Sequence, residues 1–416
     1  QCVRQHDDLR RLCRGRRFVK DVFIYDAIRS PRTRAKANGG LHGLTPPALL
    51  KPLYQALEAR NQLDPKRVSE VVLGCVTQHG EQAANIAKTS ALYAGWPDSV
   101  AGLTVHRFCS SSIDAIALAG LKIAAGQTQA IVAGGIEMMS RVPMLSDEAR
   151  VFSDPHYALQ HQILLMGSGA DLIATRIGAS REDCDEVALQ SQQRATLAQQ
   201  EARFQSIIPI ETPEGIISED ECIRADMTAE RLARLPAAFA ELGAAGADQV
   251  QLEKFPELSA IEHVHTMGNS PAMCDAGALV LLGDLALGES LGRAPKARLV
   301  TSTTASGEPL EVVSGCLTVT EALLAEQNLR AQDIDLFEIH EAFAATVVKT
   351  RQALGIDDSR LNVNGGVIAL GHPMGATGAI MTGTLIDELH RQQLSRGIVA
   401  ASGAAGSGSA LLLERC

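Results

Sequence analysis

Three stretches of the chain combine reactive side chains with places where a fold could present them. In HRFCSSSIDAIALAG (106–120), Cys109 stands between a strand-like apolar run and a helix-like one. Ser111 and Asp114 are spaced as a capping box, so the helix is expected to begin beside the cysteine. A cysteine at a helix start faces free N–H groups and a positive dipole end, which favours thiolate. On its own, this stretch fits a small buried hydrophobe somewhat better than a nucleophile. In NVNGGVIALGHPMGATGA (362–379), His372 is expected where a strand passes into a helix, between Gly371 and Pro373. In EIHEAFAA (338–345), His340 follows a strand and could point an N–H at a developing oxyanion, with Glu341 anchoring the turn. Taken singly, His372 is as well explained as a turn residue, and His340–Glu341 as a surface pair at a strand end.

The order of elements changes that balance. Apolar runs at 21–28, 70–76, 103–108 and 130–137 alternate with helix-length segments, the pattern of a mostly parallel α/β sheet. The runs at 297–304, 334–343, 361–370, 397–402 and 409–414 repeat it, and GALVLLGD (277–284) supplies the first copy's last strand. Two copies of one topology therefore place Cys109 and His372 at equivalent junctions. Halves packed about a pseudo-twofold would bring both to one crevice, where a Cys–His pair is a nucleophile and its base. The expected organisation is a leader (1–19), an N-terminal half (20–144 and 257–288), an inserted helical lid (145–256) and a C-terminal half (289–416).

Composition narrows the function classes. The chain has 416 residues, enough for two or three domains with large cores. A net charge of −10 argues against a nucleic-acid binder. Nine scattered cysteines without a CxxC pair argue against a disulfide framework or zinc site and for a reducing, cytoplasmic setting. No apolar run approaches the length of a membrane span. The Arg-rich first residues include Asp7 and Asp8, unlike a transit peptide. His263 and His265 have a metal-like spacing but no accompanying ligand set, and are read as loop residues. GAAGSG (403–408) lies between two terminal strands with no helix to receive a pyrophosphate, so it is not read as a dinucleotide loop.

Together, FCSSSIDAI, MMSRVPM, HEAFAA, GGVIALGHPMGATGA and the segment MGSGADLIATRIGASREDCDEVALQSQQRA (166–195) resemble the thiolases, in order and spacing, from about residue 20 to the C-terminus. The HEAF form looks like the branch acting on longer acyl chains in fatty-acid β-oxidation. The resemblance implies an α/β fold of two βαβαβαββ halves forming a five-layered α-β-α-β-α core with an inserted loop domain. It implies an acyl-CoA C-acyltransferase in which Cys109 attacks a 3-ketoacyl-CoA and His372 is the base. His340, through a water, would form one oxyanion hole, and the N–H groups of Cys109 and Ala404 the other. Met166, Asn269, Ser270, Phe343 and Gly371 would bind substrate. No metal or resident cofactor is implied, since coenzyme A is a substrate. The implied partners are acyl-CoA, CoA, a second copy in a homodimer or homotetramer, and a β-oxidation subunit.

The pattern breaks at one catalytic position. Ser402 stands where the family carries a second, acid–base cysteine, and a hydroxyl's pKa lies far above a thiol's reference of about 8.5. Ser112 replaces a glycine, Gly169 a threonine and Asp171 a glutamate. Two further readings thus stand beside the thiolase: an acyltransferase or thioesterase without carbon–carbon chemistry, and a non-catalytic CoA-binding paralogue.

Overall fold

The computed structural model describes residues 19–416; residues 1–18, most of the expected leader, lie outside it. Strands are β1 (Val22–Arg29), β2 (Thr33–Arg34), β3 (Glu70–Gly74), β4 (Ala101–Val105), β5 (Ala130–Met138), β6 (Ile210–Thr212), β7 (Gly215–Ile217), β8 (Cys274–Gly283), β9 (Ala297–Ser306), β10 (Leu336–Ile339), β11 (Arg396–Ser402) and β12 (Ser407–Arg415). The first half-sheet runs β4-β3-β5-β8-β1 and the second β9-β12-β11-β10, joined edge to edge by a short antiparallel pairing of Val22–Ile24 with 297–299. In both halves the two last strands pair antiparallel and the inner ones run parallel. Counted from the join, the first four strands of each half follow the same order, with β4 added beyond them in the first half, so the repeat is topological.

Why these runs are apolar without interruption follows from what covers them. Alternate side chains of one strand enter different cores. Val22, Ile24, Ile131, Ala133, Val280 and Leu282 face a central core, while Phe23, Tyr25, Val132, Leu279 and Leu281 face an outer one. Val399, Ala401, Leu411 and Leu413 share that same central core, and Ile398 and Leu412 face a third. Strands buried on both faces need no polar alternation. The central core is filled by two helices, Ser111–Ala124 and Thr377–Gln392, through Ile113, Ile116, Ile380 and Leu385. Outer helices Pro46–Asn61 and Gly315–Glu326 complete five layers. The two central helices touch where Gly378 lies so close to Ile113 that an added Cβ would sit 2.4 Å from Ile113 Cγ1.

Between β5 and β8 the chain makes its long excursion. The helix Arg181–Gln200 begins in a formed capping box on Ser180 and Asp183, and Met166–Ile177 packs against Ala344–Leu354. Asp220 pins this excursion to the sheet through a fully buried ion pair with Arg29, 2.7 Å, and by accepting the Arg32 N–H at 2.8 Å.

One expected strand is not there. Leu361 makes a single bridge to Phe337, after which the chain turns and forms the short helix Val367–Leu370. Asn362 explains the turn: at positive φ, its amide bonds both the N–H and the C=O of Ile339, occupying that strand's edge.

Candidate active site

Cys109 follows β4 at the mouth of the first central helix. Phe108 before it has φ +47°, a region that residues other than glycine seldom adopt. Ser111 holds that bend by accepting the Arg107 N–H at 2.9 Å and donating to the Phe108 carbonyl at 2.5 Å. The capping box expected from Ser111 and Asp114 is therefore not formed, because the hydroxyl is already engaged and Asp114 pairs with Arg107. Ser110 donates to Ala401 O at 2.9 Å and Ser112 accepts the Ala379 N–H at 2.9 Å. Both bonds fasten the cysteine loop to the opposite half, and the second gives Ser112 a use that glycine lacks.

His372 lies between the helices Val367–Leu370 and Thr377–Gln392, rather than after a strand. Gly371 before it has φ +98°, and a Cβ there would meet the sulfurs of Cys274 and Cys222 at 2.8 and 3.1 Å. No side chain fits. The His372 N–H donates to Ala272 O at 2.7 Å. Its ring bridges Thr377 Oγ1 at 2.8 Å through Nδ1 and Cys109 Sγ at 3.1 Å through Nε2. With Nδ1–H donated to Thr377, Nε2 presents its lone pair to the thiol.

Burial overturns the expectation of a resting thiolate. It pushes the Cys109 thiol up to about 12, with the nearby Glu137 carboxyl adding to the effect. His372 is held well below the ordinary imidazole value by burial, then by His340 and Arg32. The helix start is too weak a field to offset desolvation of the thiolate. At rest the pair is a neutral thiol hydrogen-bonded to a neutral imidazole, so the proton must move as sulfur attacks.

His340 stacks beside His372 with ring centroids 4.5 Å apart. It is buried, and neither ring nitrogen has a hydrogen-bond partner. Burial lowers it to about 4, so the ring is neutral. Glu341 fixes the loop by accepting from Ser191 Oγ at 2.8 Å and the Ile368 N–H at 3.1 Å. Ser402 ends β11 and accepts the Cys316 N–H at 2.9 Å. No local pattern marks this contact, since Cys316 opens a helix 86 residues upstream. Its thiol lies 3.5 Å from Ala400 O, and burial pushes it up to about 11.

Cys109, His340, His372 and Ala404 line a cavity of about 90 Å³, while Ser402 and Cys316 lie behind its wall. Met166 and Phe343 line this cavity and also a wider one of about 620 Å³, whose rim carries Arg34, Lys36 and Arg224. Ser270 reaches the wider cavity with a buried, unpartnered hydroxyl. Asn269 reaches neither, since its amide is spent on Asp185, Val264 O and the Thr266 N–H. Gly371 contributes its carbonyl to Arg32 at 3.3 Å instead of to a cavity. His263 and His265 are both held by Asp171, which explains that residue's burial.

Comparison with known proteins agrees with this architecture. Residues 22–251 match the family model described as Thiolase, N-terminal domain, and residues 293–415 the one described as Thiolase, C-terminal domain. A β-ketoadipyl-CoA thiolase of Escherichia coli is 33% identical, over 95% of this chain and 100% of its own. A 3-ketoacyl-CoA thiolase of Bacillus subtilis (strain 168) is also 33% identical, over 96% and 100%. The crystal structure of the Bacillus anthracis acetyl-CoA acetyltransferase superposes with a TM-score of 0.83 at 32% identity, covering 96% of this chain and 99% of that one. The chain belongs to the thiolase family.

Proposed function

We propose that this protein cleaves a 3-ketoacyl-CoA with free CoA, giving acetyl-CoA and a shortened acyl-CoA through a thioester on Cys109. The observation that carries the reading is the 3.1 Å contact between Cys109 and His372 inside a cavity continuous with a cation-rimmed one. CoA's phosphates suit the Arg34–Lys36–Arg224 rim, which sets the reacting carbonyl against Cys109. As sulfur bonds to the keto carbon, its proton passes to His372 Nε2. The N–H groups of Cys109 and Ala404 receive the resulting oxyanion. When the carbon–carbon bond breaks, the electron pair stays on acetyl-CoA as an enolate. His340, by donating through a water, stabilises it until a proton arrives at the α-carbon. That proton is the one that left Cys109, handed on from His372, so a neutral His372 can take the thiol proton of free CoA and return it to the Cys109 sulfur as CoA captures the acyl group.

The second reading, acyl transfer without carbon–carbon cleavage, is favoured by Ser402, because no thiol faces the cavity at that position. Intact-mass measurement separates the readings. A short acyl-CoA should add one acyl mass to the protein, and Cys109→Ala should abolish it. Acylation surviving in that variant sinks both readings. Loading without thiolysis of acetoacetyl-CoA leaves the second.

The segment 145–256 acts in this reading as the lid, since it supplies Met166, Arg224 and Phe239 to the cavity walls. A homodimer is the proposed working form. β4 is an edge strand, and Leu92, Tyr93, Leu103 and Leu121 around it are exposed. An unpaired apolar edge of this kind is a pairing surface. Light scattering at micromolar concentration should give twice the chain mass, and a strictly monomeric mass removes the proposal. All seven described cysteines are unpaired, which supports a reducing, cytoplasmic setting. No described helix is long and apolar enough to cross a membrane.

A further inference from the structure

We infer that the acyl site of this protein takes an uncharged aliphatic chain and turns away one that ends in a carboxylate, with Asp147 as a specificity-determining residue. The inference rests on the acyl-Cys109 reading above. Relatives at equal identity are named for both kinds of substrate, 3-ketoacyl-CoA and β-ketoadipyl-CoA, so resemblance does not choose between them.

The cavities do choose. Of the two cavities at the site, the wider one carries the cationic side chains, where CoA's phosphates would be placed. With the reacting carbon at Cys109, the rest of the acyl chain must run along the other walls of the narrow cavity. Those walls are Val76, Phe108, Met144, Leu145, Phe152 and Met374, with Phe108 and Phe152 meeting edge to face. Among the described lining residues there is no Lys or Arg. The nearby arginines are engaged elsewhere: Arg107 with Asp114, Arg141 with Glu81, and Arg150 with Asp154. His106 also lines the cavity, but burial holds its ring below the ordinary imidazole value, so it offers no cation near neutral pH.

A carboxylate is present instead, since Asp147 lines the cavity directly. A chain-end carboxylate would therefore find no cationic partner and meet like charge. An unpaired charge moved into such surroundings is strongly disfavoured, whereas each added methylene is favoured.

Loading of Cys109 tests this without requiring carbon–carbon cleavage. Hexanoyl-CoA and adipyl-CoA have acyl chains of equal length and differ at the end group. Mixed in turn with the intact protein and followed by mass, hexanoyl-CoA should load at least about 100-fold faster. Asp147→Lys should narrow that ratio by about tenfold or more, chiefly by speeding adipyl loading. Asp147 is exposed, so the substitution spares the core. Adipyl loading as fast as hexanoyl loading overturns the inference while leaving the acyl-cysteine intact. A large ratio indifferent to Asp147→Lys overturns the assignment of Asp147. Loading from neither thioester overturns the acyl-Cys109 reading, and this inference with it.

Discussion

The two sides of the reaction cavity are built to different degrees of completion. On the acyl-transfer side, the reacting side chains have partners before substrate arrives: Cys109 with His372, and His372 with Thr377. On the enolate side, His340 keeps two unpartnered ring nitrogens. There Ser402 turns its oxygen to the Cys316 N–H behind the wall. A preassembled nucleophile needs no ligand to become competent. A buried imidazole that no protein group satisfies has to hydrogen-bond water or substrate, because leaving such atoms dry is costly. The chain has kept the first acyl transfer rigid and left the proton step to groups that only substrate or water completes.

The sharpest way to break that contrast is to restore the thiol. If proton delivery to the α-carbon limits turnover, Ser402→Cys should raise the thiolysis rate by up to about 10²–10⁴-fold. Loading of Cys109 should change little, since Cys109 and His372 carry it. Stopped-flow thiolysis of acetoacetyl-CoA alongside timed intact-mass loading separates the two rates. Brisk thiolysis in the unmodified protein, unmoved by the substitution, would show that another group delivers the proton. Cys316 is the neighbour to examine first, and Cys316→Ala should then slow thiolysis alone.

What the sequence disclosed about these two sides differs for a physical reason. Cys109, His340 and His372 each stand in a run whose local pattern marks a turn at a strand or helix end, and the repeated topology placed them together. The supports around them are long-range and left no local trace. Thr377 opens a helix and Glu137 lies in a buried strand, and neither local pattern marks a support of the site. Yet Glu137 accepts the N–H groups of Val76, Thr77 and Gly375 and the amide of Gln82. Cys316 lies 86 residues from Ser402 along the chain, yet its N–H donates to the Ser402 hydroxyl. The resting state of the thiol was also misread. Position at a helix start is visible in a sequence, while the depth of burial that outweighs it is not.

A smaller effect sharpens the comparison through stability. His340 is neutral in the folded protein because burial lowers it to about 4 from the ordinary 6.5. In the unfolded chain it titrates normally. Above pH 6.5 neither state binds the proton and His340 contributes no pH dependence. As pH falls from 6.5 towards 4, the unfolded state gains a proton that the folded state refuses, so stability declines. Below 4 both states are protonated and the loss is complete, at about 3 kcal/mol. His372 is lowered further and adds to the slope in the same direction. Urea midpoints measured between pH 7 and 4.5 should therefore fall, and fall less in His340→Asn, which keeps a side-chain donor but cannot be charged. His372 is still buried in that variant and still resists protonation, so part of the slope should remain. A His340→Asn profile that parallels the unmodified protein would mean that the unpartnered ring is already hydrated or charged. The enolate side would then be as complete as the acyl-transfer side, and the contrast between them would fail.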